Sequence, residues 1–143
     1  MSVDGLANCT NLTSLTLSSC TSLQTVDGLA NCTNLANLNL NYCESLQTVD
    51  GLSNLPNLSN LKLNECVSLQ NVDGLSNLPN LTSLELSYCT SLRNIDIVAN
   101  LPNLSNLNLS FLYINHTNAA GEDIFTTRAE VAAYQEEIRK SMK

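Results

Sequence analysis

The tetrapeptide Val-Asp-Gly-Leu begins at Val3, Val26, Val49 and Val72, and a degenerate Ile95-Asp96-Ile97-Val98 stands at the fifth place, so the chain repeats itself every 23 residues. A short fixed period is the strongest constraint here, because a unit this small cannot bury an apolar face alone and must stack on its neighbours as a solenoid. The frame of each unit is Leu-x-x-Leu-x-Leu-x-x-Cys-x-x-Leu, at Leu12, Leu15, Leu17, Cys20 and Leu23 and again at Leu35, Leu38, Leu40, Cys43 and Leu46. Its leucines are predicted to form one continuous core, with the residues between them facing solvent as evenly spaced ladders. At 143 residues the chain is one elongated unit.

Apolar and polar residues alternate around Leu15 and Leu17, which predicts one short strand per unit. More than a dozen residues connect successive strands that run the same way, and such connections require a parallel sheet. On the return path Asp27-Gly28-Leu29-Ala30-Asn31 predicts a short helical or 3-10 turn, with Asp4, Asp27, Asp50, Asp73 and Asp96 read as a row of N-caps. Asn11, Asn34, Asn57, Asn80 and Asn103 precede each first leucine, where an amide can bond turn backbone that has no ladder partner. Pro56, Pro79 and Pro102 stiffen the later corners. The expected fold is an α/β solenoid: an arc with a parallel concave sheet, short helical or 3-10 convex turns and a capping helix at the C-terminus.

Five repeats are expected over residues 1–114, and a closing loop with the capping helix over 115–143. The frame breaks where Leu112 takes the cysteine place and Phe111, Tyr113 and Ile114 crowd in. Beyond a loop through Asn118-Ala119-Ala120-Gly121, Thr127 and Glu130 form a capping box for a helix whose Val131, Tyr134, Ile138 and Met142 share a stripe. The other end has no such device. Leu6, Leu12, Leu15, Leu17 and Leu23 have no preceding turn to cover them, which predicts an apolar end, an unpaired edge strand and a homodimer through the N-terminal repeat.

The net charge of −7, with basic residues scattered at Lys62, Arg93 and the C-terminal segment, leaves no stripe to neutralise phosphates, so neither nucleic acid nor anionic membrane is an expected partner. No apolar run approaches the roughly 18 residues of a membrane span, and no charged-then-apolar leader precedes Val3. Cys20, Cys43, Cys66 and Cys89 fall in one column and Cys9 and Cys32 in another. Successive rungs lie about 4.8 Å apart, a separation that tolerates a disulfide. Buried thiols donating weakly to turn carbonyls account for the columns more simply. One column presents ligands from a single direction, so no metal and no cofactor are expected. Free thiols favour a cytoplasmic location, and so do Asn-x-Ser/Thr sequons at repeat corners, where a glycan would collide with its neighbour.

Adjacent units differ almost wholly at non-leucine positions in or beside the strand. Units one and two differ at Thr13/Ala36, Ser14/Asn37, Thr16/Asn39, Ser18/Asn41, Ser19/Tyr42 and Thr21/Glu44, and units three and four differ at the equivalent places and at Gln70/Arg93. These positions are expected to project from the concave face that solenoids offer to partners. The richest column is Ser19, Tyr42, Glu65, Tyr88 and Phe111, with Tyr113 two residues beyond, and aromatic side chains bury large area with little rotamer entropy. The expected contact set is Asn39, Tyr42, Glu44, Lys62, Glu65, Glu85, Tyr88, Asn108, Phe111 and Tyr113, with Lys62 and Glu85 forming a surface ion pair.

The quoted frame resembles the leucine-rich repeat family from Val3 to about Leu112. Cys20 followed by Val26-Asp27-Gly28-Leu29-Ala30-Asn31-Cys32 is similar to the cysteine-containing subclass found in substrate receptors of ubiquitin ligases, whose units are longer. Leu-Pro-Asn-Leu is similar to the short repeats of bacterial internalins. The sequence departs from both, with no F-box and no internalin-type helical cap ahead of the repeats. Near-identity of adjacent units also resembles consensus-designed or recently duplicated arrays. The implied function is a non-catalytic module that binds a protein or peptide ligand, or else a scaffold array that associates through its open end. Catalysis is not expected, because His116 is the single histidine and meets Cys89 only if closing loop and cysteine column converge.

Overall fold

The computed structural model describes residues 1–112 and 124–142. Five short strands lie side by side in chain order: β1 (Ser14–Thr16), β2 (Asn37–Asn39), β3 (Asn60–Lys62), β4 (Ser83–Glu85) and β5 (Asn106–Asn108). All four pairings are parallel and in register at the repeat period, so Leu15 faces Leu38, Leu38 faces Leu61, Leu61 faces Leu84 and Leu84 faces Leu107. Opposite the sheet, 3-10 helices at Asp4–Leu6, Asp27–Leu29, Asp50–Leu52, Asp73–Leu75 and Asp96–Asn100 stack in a second row. Between the rows every frame leucine from Leu23 to Leu109 is buried, together with Cys32, Cys43, Cys66 and Cys89. The architecture is the expected α/β solenoid.

One sheet pairing departs from the expectation of a wholly parallel sheet. Strand β6 (Ile124–Phe125) lies antiparallel on β5, with Phe125 opposite Leu107. A further parallel strand would need another full crossover, whereas two residues of returning chain suffice to close the last edge antiparallel. Helix α1 (Arg128–Ser141) then packs on the fifth 3-10 helix, burying Val131, Tyr134 and Ile138, while Phe125 stacks on Tyr134 at 4.6 Å. Met142 was expected on this stripe but is 60% exposed, since it is the C-cap and lies past the last packed turn. The Thr127 cap is as expected: its hydroxyl accepts from the Glu130 N–H and donates to the Glu130 carboxylate. Three polar side chains satisfy carbonyls of the last repeat. Arg128 donates to Leu104 O, Gln135 Nε2 to Val98 O and Leu101 O, and Arg139 to Ala99 O. The division between repeats and closing loop falls at residues outside the described ones.

The aspartate column does not cap by its side chains. Each aspartate is the first helical residue, and the preceding Val or Ile at the N-cap contributes no side-chain bond. Caps come instead from two residues upstream, where Ser2 Oγ, Thr48 Oγ1, Asn71 Oδ1 and Asn94 Oδ1 accept from the N–H groups of Asp4, Asp50, Asp73 and Asp96. The asparagine corners and the thiols do act as read. Asn34, Asn57, Asn80 and Asn103 each donate to a carbonyl of the unit before, at 2.6–3.0 Å. Cys43, Cys66 and Cys89 donate to Leu17 O, Leu40 O and Leu63 O at 3.3, 3.2 and 2.9 Å. All six cysteines are free.

Glycine in the Val-Asp-Gly-Leu tetrapeptide answers to the stacking distance. A Cβ on Gly51 would stand 2.5 Å from Val26 O and 2.6 Å from Asp27 Cα, both backbone atoms of the preceding unit, whereas one on Gly5 would meet nothing within 4 Å. We expect Gly51→Ala to destabilise the protein by about 1–3 kcal/mol, in the range of overpacking changes, and Gly5→Ala to be neutral or slightly stabilising. Urea melts of the two variants check this.

Candidate functional site

The sheet face is built from two columns of side chains flanking the buried leucine row. One is Ser14, Asn37, Asn60, Ser83 and Asn106, and the other is Thr16, Asn39, Lys62, Glu85 and Asn108. An open hollow of about 370 Å³ spans the first three strands, lined by Ser14, Thr16, Asn37, Asn39, Asn60 and Lys62. Asn60 Nδ2 donates to Asn37 Oδ1 at 2.7 Å across the strands. Asn39 and Asn108 each use the side-chain oxygen locally, accepting from the N–H of Asn41 and Ser110, and so hold the chain as it leaves the strand. Lys62 and Glu85 face each other in register but form no ion pair. The Glu85 carboxylate instead accepts from Asn64 Nδ2 at 2.6 Å, a neutral donor fixed in place by the amide ladder beside the strands. In that ladder Asn41 Oδ1 accepts from Asn64 N–H, and Asn64 Oδ1 accepts from both the N–H and the hydroxyl of Ser87.

The aromatic column lies at one edge of the sheet, on a turn that the sequence reading did not foresee. Ser19, Tyr42, Glu65, Tyr88 and Phe111 sit three residues past the strand ends, on a turn along the rim of the sheet rather than on its face. All five have left-handed backbone, with φ of 64°, 63°, 60°, 59° and 61°. The turn makes this conformation useful. It lets the N–H of Ser19, Tyr42, Glu65 and Tyr88 continue the parallel ladder, donating to Asn41 O, Asn64 O, Ser87 O and Ser110 O, while the N–H of the following cysteine folds back on the leucine carbonyl three residues before it. For a residue with a Cβ, left-handed backbone costs roughly 1–2 kcal/mol, and a bulky residue there is an outlier. Tyr42, Tyr88 and Phe111 are nonetheless 45%, 42% and 61% exposed, and the rings of Tyr88 and Phe111 stack at 4.2 Å and 13°. Glu44 lies exposed just past the buried Cys43, and Tyr113 lies outside the described residues.

Sequence reasoning missed the left-handed geometry because the usual signals, glycine or asparagine, are absent from this column. The available signal was its place in the second slot of Leu-x-x-Cys, one residue before the cysteine whose N–H closes the turn. We expect Tyr42→Gly to be more stable than Tyr42→Ala by about 1 kcal/mol, the reverse of the order in a strand or helix. Chemical denaturation of the pair decides it.

At the N-terminal edge Leu6, Leu12, Leu15 and Leu17 are half-buried, as are Cys9 and Cys20, although the equivalent residues of the second repeat are all buried. Leu23, also expected to be uncovered, is buried. Cys89 is unsuited to act as a nucleophile. It is buried, its thiol donates to Leu63 O, and burial pushes its pKa up to about 12, while burial raises Cys66 and Cys43 as well. His116 falls outside the described residues. Among the described residues no three His, Cys, Asp or Glu side chains come together as a metal-holding group, and no helix is long and apolar enough to cross a membrane.

A ladder of parallel strands, one per short unit, with 3-10 turns on the opposite side and a helix closing one end, defines a repeat solenoid with an extended exposed sheet face. Internalin C2 of Listeria monocytogenes strain 4b F2365 has the same fold, with a TM-score of 0.64 and 26% identity over 83% of this chain and 47% of the internalin. The chain thus spans about half the length of that protein. A plant peptide hormone receptor, RGFR1 in complex with RGF2, aligns with a TM-score of 0.47 and 20% identity, over 78% of this chain and 22% of the receptor. No protein-family model and no curated protein matches the sequence. The chain has a leucine-rich repeat solenoid fold, similar to that of internalin C2.

Proposed function

We propose that this chain is a non-catalytic binding module that engages a protein or peptide partner through its sheet face and, above all, the aromatic rim beside it. The observation that carries the reading is the rim column. Tyr42, Tyr88 and Phe111 are large, exposed and held on backbone that disfavours them, and strain kept at an exposed site is the mark of a position selected for something other than stability. Rigid aromatic anchors in a row are the side chains that dominate interface energies. Asn39 and Asn108 belong to the surface with their amide Nδ2 groups, and Lys62, Glu44 and Glu85 set its charge preference. Free thiols favour a reducing, cytoplasmic setting. Protein captured from cell extract by the wild-type chain is expected to fall at least about tenfold with the Tyr42→Ala/Tyr88→Ala variant, as for loss of two anchors. Equal capture by both proteins would sink the reading.

The N-terminal edge supports a second mode, self-association of two copies through the first repeat. Leu6, Leu12, Leu15 and Leu17 are incompletely covered there. Asp4 is the sole charged side chain in residues 1–25, so two such edges meet without like-charge repulsion. Light scattering over a dilution series is expected to show dimers at high micromolar concentration that Leu15→Lys abolishes; a wild-type chain that stays monomeric throughout overturns this mode.

A further inference from the structure

On the rim one carboxylate stands between two tyrosines. Tyr42, Glu65, Tyr88 and Phe111 occupy successive rungs, and the stacked rings of Tyr88 and Phe111, 4.2 Å apart, show that one rung of this turn equals one stacking distance. Tyr42 and Tyr88 are two rungs apart, about 9–10 Å at the spacing of paired strands. Once the thickness of two rings is allowed for, about 6 Å remains between the two tyrosine rungs, and Glu65 stands on the rung between them. A planar guanidinium fits such a slot, with each ring within the roughly 6 Å over which a cation is attracted to an aromatic face.

The carboxylate on that middle rung lacks a partner of its own. Glu65 is half-buried, and its side chain makes no hydrogen bond or ion pair among the described residues. Its counterpart Glu85 is occupied by Asn64, and Lys62, the nearest cation in sequence, lies exposed on the strand face and pairs with neither. An unpaired carboxylate on a half-buried residue, on the rung between two aromatic ones, leaves its best partner to be supplied from outside. Glu44, two residues past Tyr42 in the chain, and the net charge of −7 favour the approach of a cation. Arginine suits the slot better than lysine, because its flat fork both stacks on rings and meets a carboxylate through two hydrogen bonds.

We infer that Tyr42, Glu65 and Tyr88 form a receptor slot for an arginine side chain on an exposed basic segment of the partner protein. The inference rests on the rim being the binding surface and names what that surface takes. The test is a nuclear magnetic resonance titration of the labelled chain with the capped pentapeptide Gly-Gly-Arg-Gly-Gly and with the same peptide carrying citrulline, the neutral isostere. Shifts are expected at Tyr42, Glu65 and Tyr88 with the arginine peptide. They should weaken by about tenfold or more with citrulline, with Glu65→Gln and with Tyr88→Ala, as for loss of a shielded ion pair with its stacking, and should weaken on adding salt. Equal shifts with both peptides, or shifts spread along the aspartate column, overturn the slot. Protein capture separates the two levels: capture that survives Glu65→Gln but fails with Tyr42→Ala/Tyr88→Ala overturns the arginine slot and leaves the rim standing, whereas capture by every variant removes both.

Discussion

The structure depends on the close vertical seating of one repeat upon the next. Parallel pairing at a constant offset of 23 residues puts leucine on leucine through five strands. The same offset carries the secondary bonds. Thiols reach carbonyls 26 residues earlier, corner amides reach carbonyls 24 residues earlier, and the rim turn continues the backbone ladder beyond the strands. Glycine 51 marks how little slack there is, since a single methyl group would strike the backbone of the unit before. The thiol column thus satisfies carbonyls that the leucine stack takes out of water.

A stack of this kind leaves two ends, and the chain treats them differently. At the C-terminus the last leucines are covered by α1, the last strand edge by β6, and orphaned carbonyls by Arg128, Gln135 and Arg139. At the N-terminus Leu6, Leu12, Leu15 and Leu17 remain half-covered. Covering the last unit takes residues outside the repeat frame, because each unit buries only the face of its neighbour.

The same logic separates scaffold from surface. Leucine, cysteine, asparagine and glycine columns are spoken for by packing and hydrogen bonds within the stack. What varies lies on the sheet face and along its rim, and on the rim the variable residue also bears backbone strain. Glycine would relieve that strain, so backbone ease does not account for the tyrosines and the phenylalanine there.

The period, the frame and the breakdown of the frame at Leu112 were enough to derive the solenoid, the parallel register, the closing helix and the roles of thiol and amide columns, because each follows from local spacing and from a unit too short to fold alone. The variable residues beside the strands were legible as a set, but the backbone that carries them was not. Only the tertiary structure decided that Tyr42, Glu65, Tyr88 and Phe111 stand on a left-handed turn, since the sign of φ is set by how the chain must fold back to pair with its neighbour. It alone moved capping from the aspartates to the residues two before them, took Glu85 from Lys62 and handed it to Asn64, and laid β6 antiparallel on the last strand. In each case competing partners lay close together in sequence, and geometry between repeats chose among them.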